Sequence, residues 1–519
     1  MMFGRGAKVT LAEILNALGG VKSPQLSHVD WQYSPTQLAV DSRDVTEGAI
    51  FIALAGSQAH GIRFAAQAID QGVKYILAEK SPGLVEMDMV FSESDHDQLN
   101  AVPVIWVDQL SRQCKSLASQ FYQNPSQRVK VIGVTGTNGK TSTAHYIAQL
   151  LSATGVKVAL LGTLGNGWIG DLTPSQNTTL EVVALNRWLA YFADQQADVV
   201  VMEVSSHAIT LGRIDGIQFK GLALTQVTRD HLDFHKTEQA YQSVKKQLFQ
   251  DYSHQFEVLN LDDKVGLELA HQNRPSVSQI SYAKENAQAD IFVPKAKLYQ
   301  RGIAGQILLS QQPIAFDVPL MGEFNLENML CAIGVCVGLG LTVSQLEKAL
   351  NQLKPVAGRM QCLSHPGQAT VVIDYAHTAD ALQALLIAVR AHLSLPNQQL
   401  WVVFGCGGNR DQGKRPLMGE VAQRYADKVV ITDDNPRDES PEAIVQQITN
   451  AMETPFTVVH DRAQAVSSTL TQANPQDVVV IAGKGHESTQ EIAGQKIPMQ
   501  DERLVKQAYA AYEANRRPL

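Results

Sequence analysis

Charge of either sign is scarce in this chain. Only 18% of its 519 residues are Asp, Glu, Lys or Arg, below the ~25% of an average protein. With hydrophobic residues at 45%, that scarcity excludes a disordered polymer and leaves ample material for buried sheets. Positive charge is not in excess either: Lys plus Arg number 43 against 51 Asp plus Glu, a formal charge of −8. The basic surface typical of nucleic-acid binders is therefore missing, and no nucleic-acid partner is expected. Cysteine is rare as well. Cys114, Cys331, Cys336, Cys362 and Cys406 are odd in number, scattered and never in a C-x-x-C pair, which argues against a disulfide scaffold and for reduced, buried thiols in a cytosolic protein. No apolar run approaches the ~18–20 residues that cross a bilayer. The N-terminal stretch, interrupted by Glu13 and Asn16 within a helical pattern, does not read as a signal peptide. A soluble, cytoplasmic chain without a membrane span is the expectation.

What is present is an alternation of apolar strands and amphipathic helices, over a length that suits three or four domains at roughly 100–200 residues each. Residues 1–108 carry AIFIAL and VKYILAE around a short helical pattern, a small α/β unit. Residues 109–355 open after Asn124-Pro125 with VKVIGVTGTNGKT and continue through VKVALLG, ADVVVMEV, KGLALTQV and FEVLNLDD. Such runs predict a mostly parallel sheet covered on both faces. Residues 279–320 alternate more and predict antiparallel strands at its edge. A third α/β series, residues 356–519, contains ATVVIDYAH, QLWVVFGCGG, DKVVITDD and DVVVIAGKGHE. In open α/β sheets ligands bind beyond the carboxyl ends of the strands, which is where these runs turn glycine-rich or polar.

The loop from Thr135 to Thr141, TGTNGKT, has the parts of a phosphate cradle. Glycines let backbone N–H groups turn inward, a helix N-terminus adds positive potential, Lys140 neutralises β/γ charge and Thr141 can hold Mg²⁺. Its spacing departs from the usual one, whose first glycine would fall at Val134. Glu203 ends a fully apolar strand and is placed to hold Mg²⁺ directly or through water. Asp230, His231, Asp233 and His235 crowd one loop, a pattern equally suited to capping and to metal binding. Lys245 and Lys246 sit on a helical stretch, where a lysine pair is ordinarily a solvated face. Arg410, Lys414 and Arg415 lie in one glycine-rich run and Asn435 and Arg437 in another; arginine forks match carboxylates in two-bond geometry.

Taken together, TGTNGKT, MEVSSH, TRDHLDFH, GEFNLENML, PVAGR, DYAHT, GCGGNRDQGKRP, DNPR and GKGHE resemble the Mur ligase family, in that family's order and over nearly the whole chain. The DSR at 41–43, His60-Gly61, the NTT at 177–179 and DNPR narrow the resemblance to its MurE type, the ligases that add meso-diaminopimelate to UDP-N-acetylmuramoyl-L-Ala-D-Glu in peptidoglycan precursor synthesis. The resemblance implies a UDP-binding domain, a central ATP-binding P-loop domain and a C-terminal Rossmann-like amino-acid-binding domain, at the boundaries above, in a cytoplasmic monomer. It implies ATP at Gly136, Thr137, Asn138, Gly139, Lys140, Thr141, Asn325, Arg359 and Asp374. It places Mg²⁺ at Thr141, Glu203, His231 and a carbamylated Lys245, with Lys140, His231 and Lys245 catalytic. The UDP-peptide would meet Ser42, Asn177, Thr178, Thr179, Ser205, Arg213 and Lys245. Diaminopimelate would meet Arg410, Asn435, Pro436, Arg437, Asp438, Gly483 and Glu487, with Arg437 reading the carboxylate that lysine lacks. Gln226, Leu211 and Ala379-Asp380 depart from common family residues. The alternatives are another amino-acid-adding Mur ligase, a folylpolyglutamate synthase, a nucleotide switch, for which no N-K-x-D segment is found, or a catalytically silent binding subunit built on the same sheet.

Overall fold

The structure is a computed structural model and describes residues 9–19, 29–56, 59–84, 87, 89–91, 101–175, 177–272 and 274–516. Its architecture is α/β, built on three principal sheets. The first has five strands, in the order Leu38–Ala39, Ile50–Ala53, Tyr75–Glu79, Ala101–Val107 and Met89–Phe91, all parallel except the last pairing. The second has eleven, in the order Gln312–Val318, Gly302–Leu309, Ile291–Tyr299, Ser278–Ala283, Phe256–Asn260, Gly221–Leu224, Lys130–Thr135, Val199–Glu203, Val158–Gly162, Gly165–Trp168 and Asp171–Thr173. The third has six: Gln361–Leu363, Thr370–Asp374, Val478–Ala482, Leu400–Phe404, Lys428–Ile431 and Thr457–Val458. Among the described residues no helix is long and apolar enough to cross a membrane.

The expected three-domain α/β fold is the one observed. The strands Val199–Glu203 and Val478–Ala482 are buried at every position, because helices cover both faces and leave no polar side to alternate with. The chain forms two compact units, one of Met1–Thr141, Gly155–Glu257 and His271–Gln279, the other of Ser142–Thr154, Val258–Ala270 and Ile280–Leu519.

In the first unit, Ile50 and Ile52 pack with Leu110, Leu117 and Phe121 of the helix Leu110–Phe121. Phe51 and Ala53 face the other way, onto Ala65, Ala68 and Ile69. This is the period-two division of a strand buried on both sides. In the second unit, Val372, Val402 and Val480 meet Leu382, Leu386 and Val389 of the helix Ala379–Arg390. Val371, Val403 and Val479 meet Ala465, Leu470 and Tyr509. Each of these fully buried aliphatic side chains contributes on the order of 2 kcal/mol, so truncating Leu386 to Ala costs about 2–5 kcal/mol.

The edge strands differ in part from expectation. The strands from Ile291 to Val318 are antiparallel, but Ser278–Ala283 runs parallel to Ile291–Tyr299, with Tyr282 opposite Ile291. The Asp262 carboxylate accounts for so short a crossover: it accepts from the backbone N–H groups of Lys284, Glu285 and Asn286 at 2.6–3.1 Å and pins the connection. Of the cysteines, Cys114, Cys331, Cys336 and Cys406 are buried and Cys362 partly so, and none is in a disulfide, as expected. Burial pushes every one of their pKa values up.

Candidate active site

The strand Lys130–Thr135 delivers the loop 136–139 to the start of the helix Lys140–Ser152. Gly136 has φ +152°, and a Cβ there would lie 1.8 Å from Thr225 Oγ1, so the turn admits only glycine. Thr137 donates its N–H to Gln226 O at 2.6 Å, and Asn138 forms a bridge with Gln226. The departure at Gln226 thus meets the loop through backbone atoms that any residue there supplies. Thr225 Oγ1 donates to Asn138 O at 2.6 Å. Lys140 folds back onto the loop, its Nζ 2.9 Å from Gly136 O and 2.8 Å from Thr137 O.

Glu203, only 2% exposed, ends the neighbouring strand. Its carboxylate accepts from Thr141 Oγ1 at 2.9 Å and from Thr163 N–H at 2.8 Å, and Thr163 Oγ1 lies 3.1 Å away. A buried charge is tolerable because these bonds satisfy it. Thr163 hydrogen-bonds in turn to Thr178. Thr179 Oγ1 donates to Glu203 O and also meets Ser205, while Arg213 Nη1 donates to Thr179 O. Six predicted residues, Thr141, Thr178, Thr179, Glu203, Ser205 and Arg213, are therefore one connected network. Asn177 is exposed beside it. Ser42 is bonded to Gln67 within the five-stranded domain, apart from this network. Leu211 follows the short helix Ser206–Thr210 and is exposed.

Lys245 overturns the expectation of a solvated face. It is 1% exposed, and Nζ donates to Gly136 O at 2.8 Å and lies 4.8 Å from the centroid of the Tyr241 ring. Tyr241, Lys245, Leu248 and Phe249 form the buried side of the helix Glu238–Asp251, while Lys246 is only partly covered. His231, in left-handed backbone at φ +51°, sets its ring 4.9 Å from that of His207 and 6.2 Å from that of Tyr241. His235 bonds Ser206 Oγ, and burial and then the nearby His207 ring lower its pKa.

In the second unit Asn325 donates Nδ2 to Met321 O and accepts from Asn328, which Thr143 reaches at 3.4 Å. Arg359 stacks at 5.5 Å on the Tyr375 ring, and its Nε is buried without a hydrogen-bond partner. Asp374 accepts from the N–H groups of Met360 and Ala376, both at 2.8 Å. Burial nevertheless raises its pKa.

Strand-end loops of the six-stranded sheet hold the remaining predicted residues. Lys484, wholly buried, donates to Asn435 Oδ1 at 2.9 Å and to Glu487 Oε2 at 2.8 Å, and Asn435 Nδ2 also donates to Glu487. Burial works against ionisation of Glu487, but the Lys484 and Asn435 bonds win and hold it below the ordinary carboxylate range. Gly483, at φ +112°, passes so close to Asp434 that a Cβ would lie 2.7 Å from Oδ2. Arg437 donates Nε to Glu491 Oε2 at 2.9 Å and Nη1 to Gly408 O at 2.8 Å. Asp438 pairs with Asn409, and Arg410 is exposed. Arg415 is not a loop cation: it belongs to the helix Lys414–Tyr425, is 0% exposed, and is bound in two-bond geometry to Glu439 and also to Gln447.

Three sequence profiles cover most of this framework: "Mur ligase family, catalytic domain" at residues 36–122, "Mur ligase middle domain" at 134–336 and "Mur ligase, glutamate ligase domain" at 358–485. A curated relative from Alkalilimnicola ehrlichii, the UDP-N-acetylmuramoyl-L-alanyl-D-glutamate--2,6-diaminopimelate ligase, is 39% identical over 479 residues, 92% of this chain and 95% of its own length. The chain belongs to the Mur ligase family. A solved UDP-N-acetylmuramoyl-L-alanyl-D-glutamate--2,6-diaminopimelate ligase superposes with a TM-score of 0.68 at 32% identity, covering 98% of this chain and 99% of that one. The MurF ligase of Thermotoga maritima in complex with ADP shares the fold at 18% identity and a TM-score of 0.58, over 93% of this chain and 98% of its own.

Sequence reading missed several residues of the Mur ligase framework at these sites. Thr163, which follows the strand Val158–Gly162, carried no motif, although its position at a strand end was a usable signal. Lys484 lay inside GKGHE unassigned, and Glu491 and Asp434 were unremarked.

Proposed function

We propose that this Mur ligase is the diaminopimelate-adding enzyme: it joins an amine of meso-diaminopimelate to the D-glutamate side-chain carboxylate of UDP-N-acetylmuramoyl-L-Ala-D-Glu, with ATP converted to ADP and phosphate. The observation that carries this reading is the 39% identity to a ligase of that name over 92% of the chain, joined to a DNPR loop whose Arg437 keeps part of its guanidinium uncommitted. Residues 1–108 are assigned to the uridine end, 109–355 to ATP and 356–519 to the incoming amino acid.

A carboxylate is a poor acylating agent, so the γ-phosphoryl group first moves to the glutamate side chain, giving an acyl phosphate and ADP. The amine nitrogen then attacks the acyl carbon, loses a proton, and phosphate leaves. Both steps depend on positioning and charge neutralisation. Backbone N–H groups of the loop other than that of Thr137, which Gln226 O takes, hold the β/γ-phosphates with Lys140, and Asn325, Arg359 and Asp374 serve the nucleotide. Thr179, Ser205 and Arg213, already bonded to one another, orient the UDP-peptide with Asn177 and Thr178, and Ser42 serves its uridine end.

Thr141 and Glu203 fit Mg²⁺: they are hard oxygen donors 2.9 Å apart. Mg²⁺ is ordinarily held by one or two carboxylates and otherwise by water and phosphate. When bound, Mg²⁺ neutralises the charge on the transferring group. His231 and Lys245, the latter as its carbamate, would complete a second such site. Arg410, Asn435, Pro436, Arg437, Asp438, Gly483 and Glu487 receive diaminopimelate, and Glu487 remains ionised to meet an ammonium.

The test is ATP-dependent phosphate release from the UDP-dipeptide with meso-diaminopimelate or with lysine. Release with diaminopimelate and little with lysine is expected; equal rates would refute the assignment of the amino acid.

A further inference from the structure

The pair Glu491–Arg437 has a role to account for. A half-exposed ion pair, at 33% and 21% side-chain exposure, adds little stability, generally about 0–1 kcal/mol. The hairpin Thr489–Ile492/Gln495–Pro498 adds little to the core: none of its residues is buried, and Ile492 and Ile497 are exposed. Yet it is tied to the loop 433–437 by further hydrogen bonds. Arg437 N–H donates to Glu491 O at 3.0 Å and Ala493 N–H to Arg437 O at 2.8 Å. Glu491 N–H donates to Asn435 Oδ1 at 2.9 Å, and Gln490 Nε2 to Asp434 O at 2.8 Å. Arg437 itself is held in left-handed backbone at φ +51°, a cost of roughly 1–2 kcal/mol for a non-glycine residue. Strain kept in place by a dedicated hairpin points to a functional use.

We propose that Glu491 is a positioning residue for amino-acid selection. Its carboxylate takes the Nε–H of Arg437 while Gly408 O takes one Nη1–H, so the fork is fixed at two points. Of the five guanidinium N–H groups, three remain, two on Nη2 and one on Nη1. These are the edge that accepts a carboxylate in parallel two-bond geometry. Without Glu491 the guanidinium rotates about its last torsions and must be ordered again each time substrate binds. The inference rests on Arg437 reading the distal carboxylate of diaminopimelate, and its test separates the two.

Steady-state kinetics of phosphate release are measured for Glu491→Ala, Glu491→Gln, Arg437→Ala and the Arg437→Ala/Glu491→Ala double variant, with KM determined for each of the three substrates. Glu491→Ala is expected to raise KM for diaminopimelate several-fold, up to about tenfold, with kcat and KM for ATP and UDP-dipeptide within about twofold of wild type. Glu491→Gln keeps an oxygen acceptor for Nε–H and restores most of the loss. In the Arg437→Ala background Glu491→Ala adds nothing, because its effect runs through the missing guanidinium. A Glu491→Ala enzyme with unchanged KM for diaminopimelate overturns the proposal while leaving the Arg437 reading intact. So does equal damage to all three KM values, which would mark the hairpin as merely structural. An Arg437→Ala enzyme with unaltered diaminopimelate kinetics overturns both.

Discussion

Replacing Glu203 by Gln separates a structural role of this carboxylate from a metal-binding one. The side chain is buried and accepts from Thr141 Oγ1, Thr163 N–H and, at slightly greater length, Thr163 Oγ1. Glutamine fills nearly the same volume. Its Oε1 can still accept from Thr163 N–H, and its Nε2 can donate to the hydroxyls of Thr141 and Thr163, which accept as readily as they donate. The bonds lost are charge-assisted, worth about 1.5–3 kcal/mol each, against about 0.5–1.5 for neutral replacements. The neutral amide, however, avoids the penalty of burying a charge. These terms offset, and the melting temperature should move by only a few degrees. Glu203→Ala is a poorer probe, since it leaves Thr163 N–H buried without an acceptor at a cost of about 1–3 kcal/mol.

For Mg²⁺ the balance differs, because an amide supplies no negative charge. The Mg²⁺ concentration that half-saturates phosphate release should rise about 10–100-fold in Glu203→Gln, by analogy with the loss seen when residues supporting a metal are changed. The assay is phosphate release titrated with Mg²⁺ at saturating substrates, alongside thermal melting of the same preparation. A variant that melts like wild type and keeps the wild-type Mg²⁺ dependence would refute the assignment of Glu203 to the metal.

Lys245→Ala should abolish ligation and recover part of it with an added short carboxylic acid, which would occupy the place of the carbamate; unrecovered loss, or an unaffected rate, argues against carbamylation in the same activity assay. Arg415→Ala removes a wholly buried side chain bonded to Glu439, Gln447 and Gly407 O and should lower the melting temperature. His145 lies on the helix that follows the phosphate loop, and burial, then the charge of Arg359, lower its pKa from 6.5 to about 4. Between those values the unfolded chain takes up a proton that the folded chain refuses, so this contribution to stability is lost as pH falls from about 6.5 towards 4. His145→Gln should lose less over that range; parallel melting curves of the two proteins against pH would contradict it.

The sheets were legible because apolar runs such as VVVME and VVVIA are short and rich in β-branched residues, which favours strands buried on both faces. The phosphate loop was legible because its chemistry is local, contained within seven residues. Lys245 lay between: composition made it a surface lysine, yet it falls on one stripe with Tyr241, Leu248 and Phe249, the helical spacing of a buried face. Arg415 could not be placed, since the glutamate that buries it is 24 residues away. For the same reason Thr163 and Glu491 were invisible as partners of Glu203 and Arg437, 40 and 54 residues distant in sequence. Separation in sequence, more than residue type, divided what could be read from what could not.

The phosphate loop also shows how an acidic chain concentrates positive charge where it is needed. Lys140 and Lys245 both donate to the one carbonyl oxygen of Gly136, so two ammonium groups lie within about 6 Å of each other and repel by roughly 3 kcal/mol at an effective dielectric near 20. A carbonyl orients an ammonium without cancelling its charge, whereas a carboxylate in that place would neutralise it and repel phosphate. A polyphosphate relieves the repulsion as it binds, and conversion of Lys245 to an anionic carbamate would relieve it in another way, changing one of the cations into a ligand. The acid required for Mg²⁺ is set apart on the next strand, where Glu203 meets the loop through the Thr141 hydroxyl. Cations at one end of a seven-residue turn and a carboxylate at the other give the loop the polarity of a bound Mg²⁺–triphosphate, before any ligand is present.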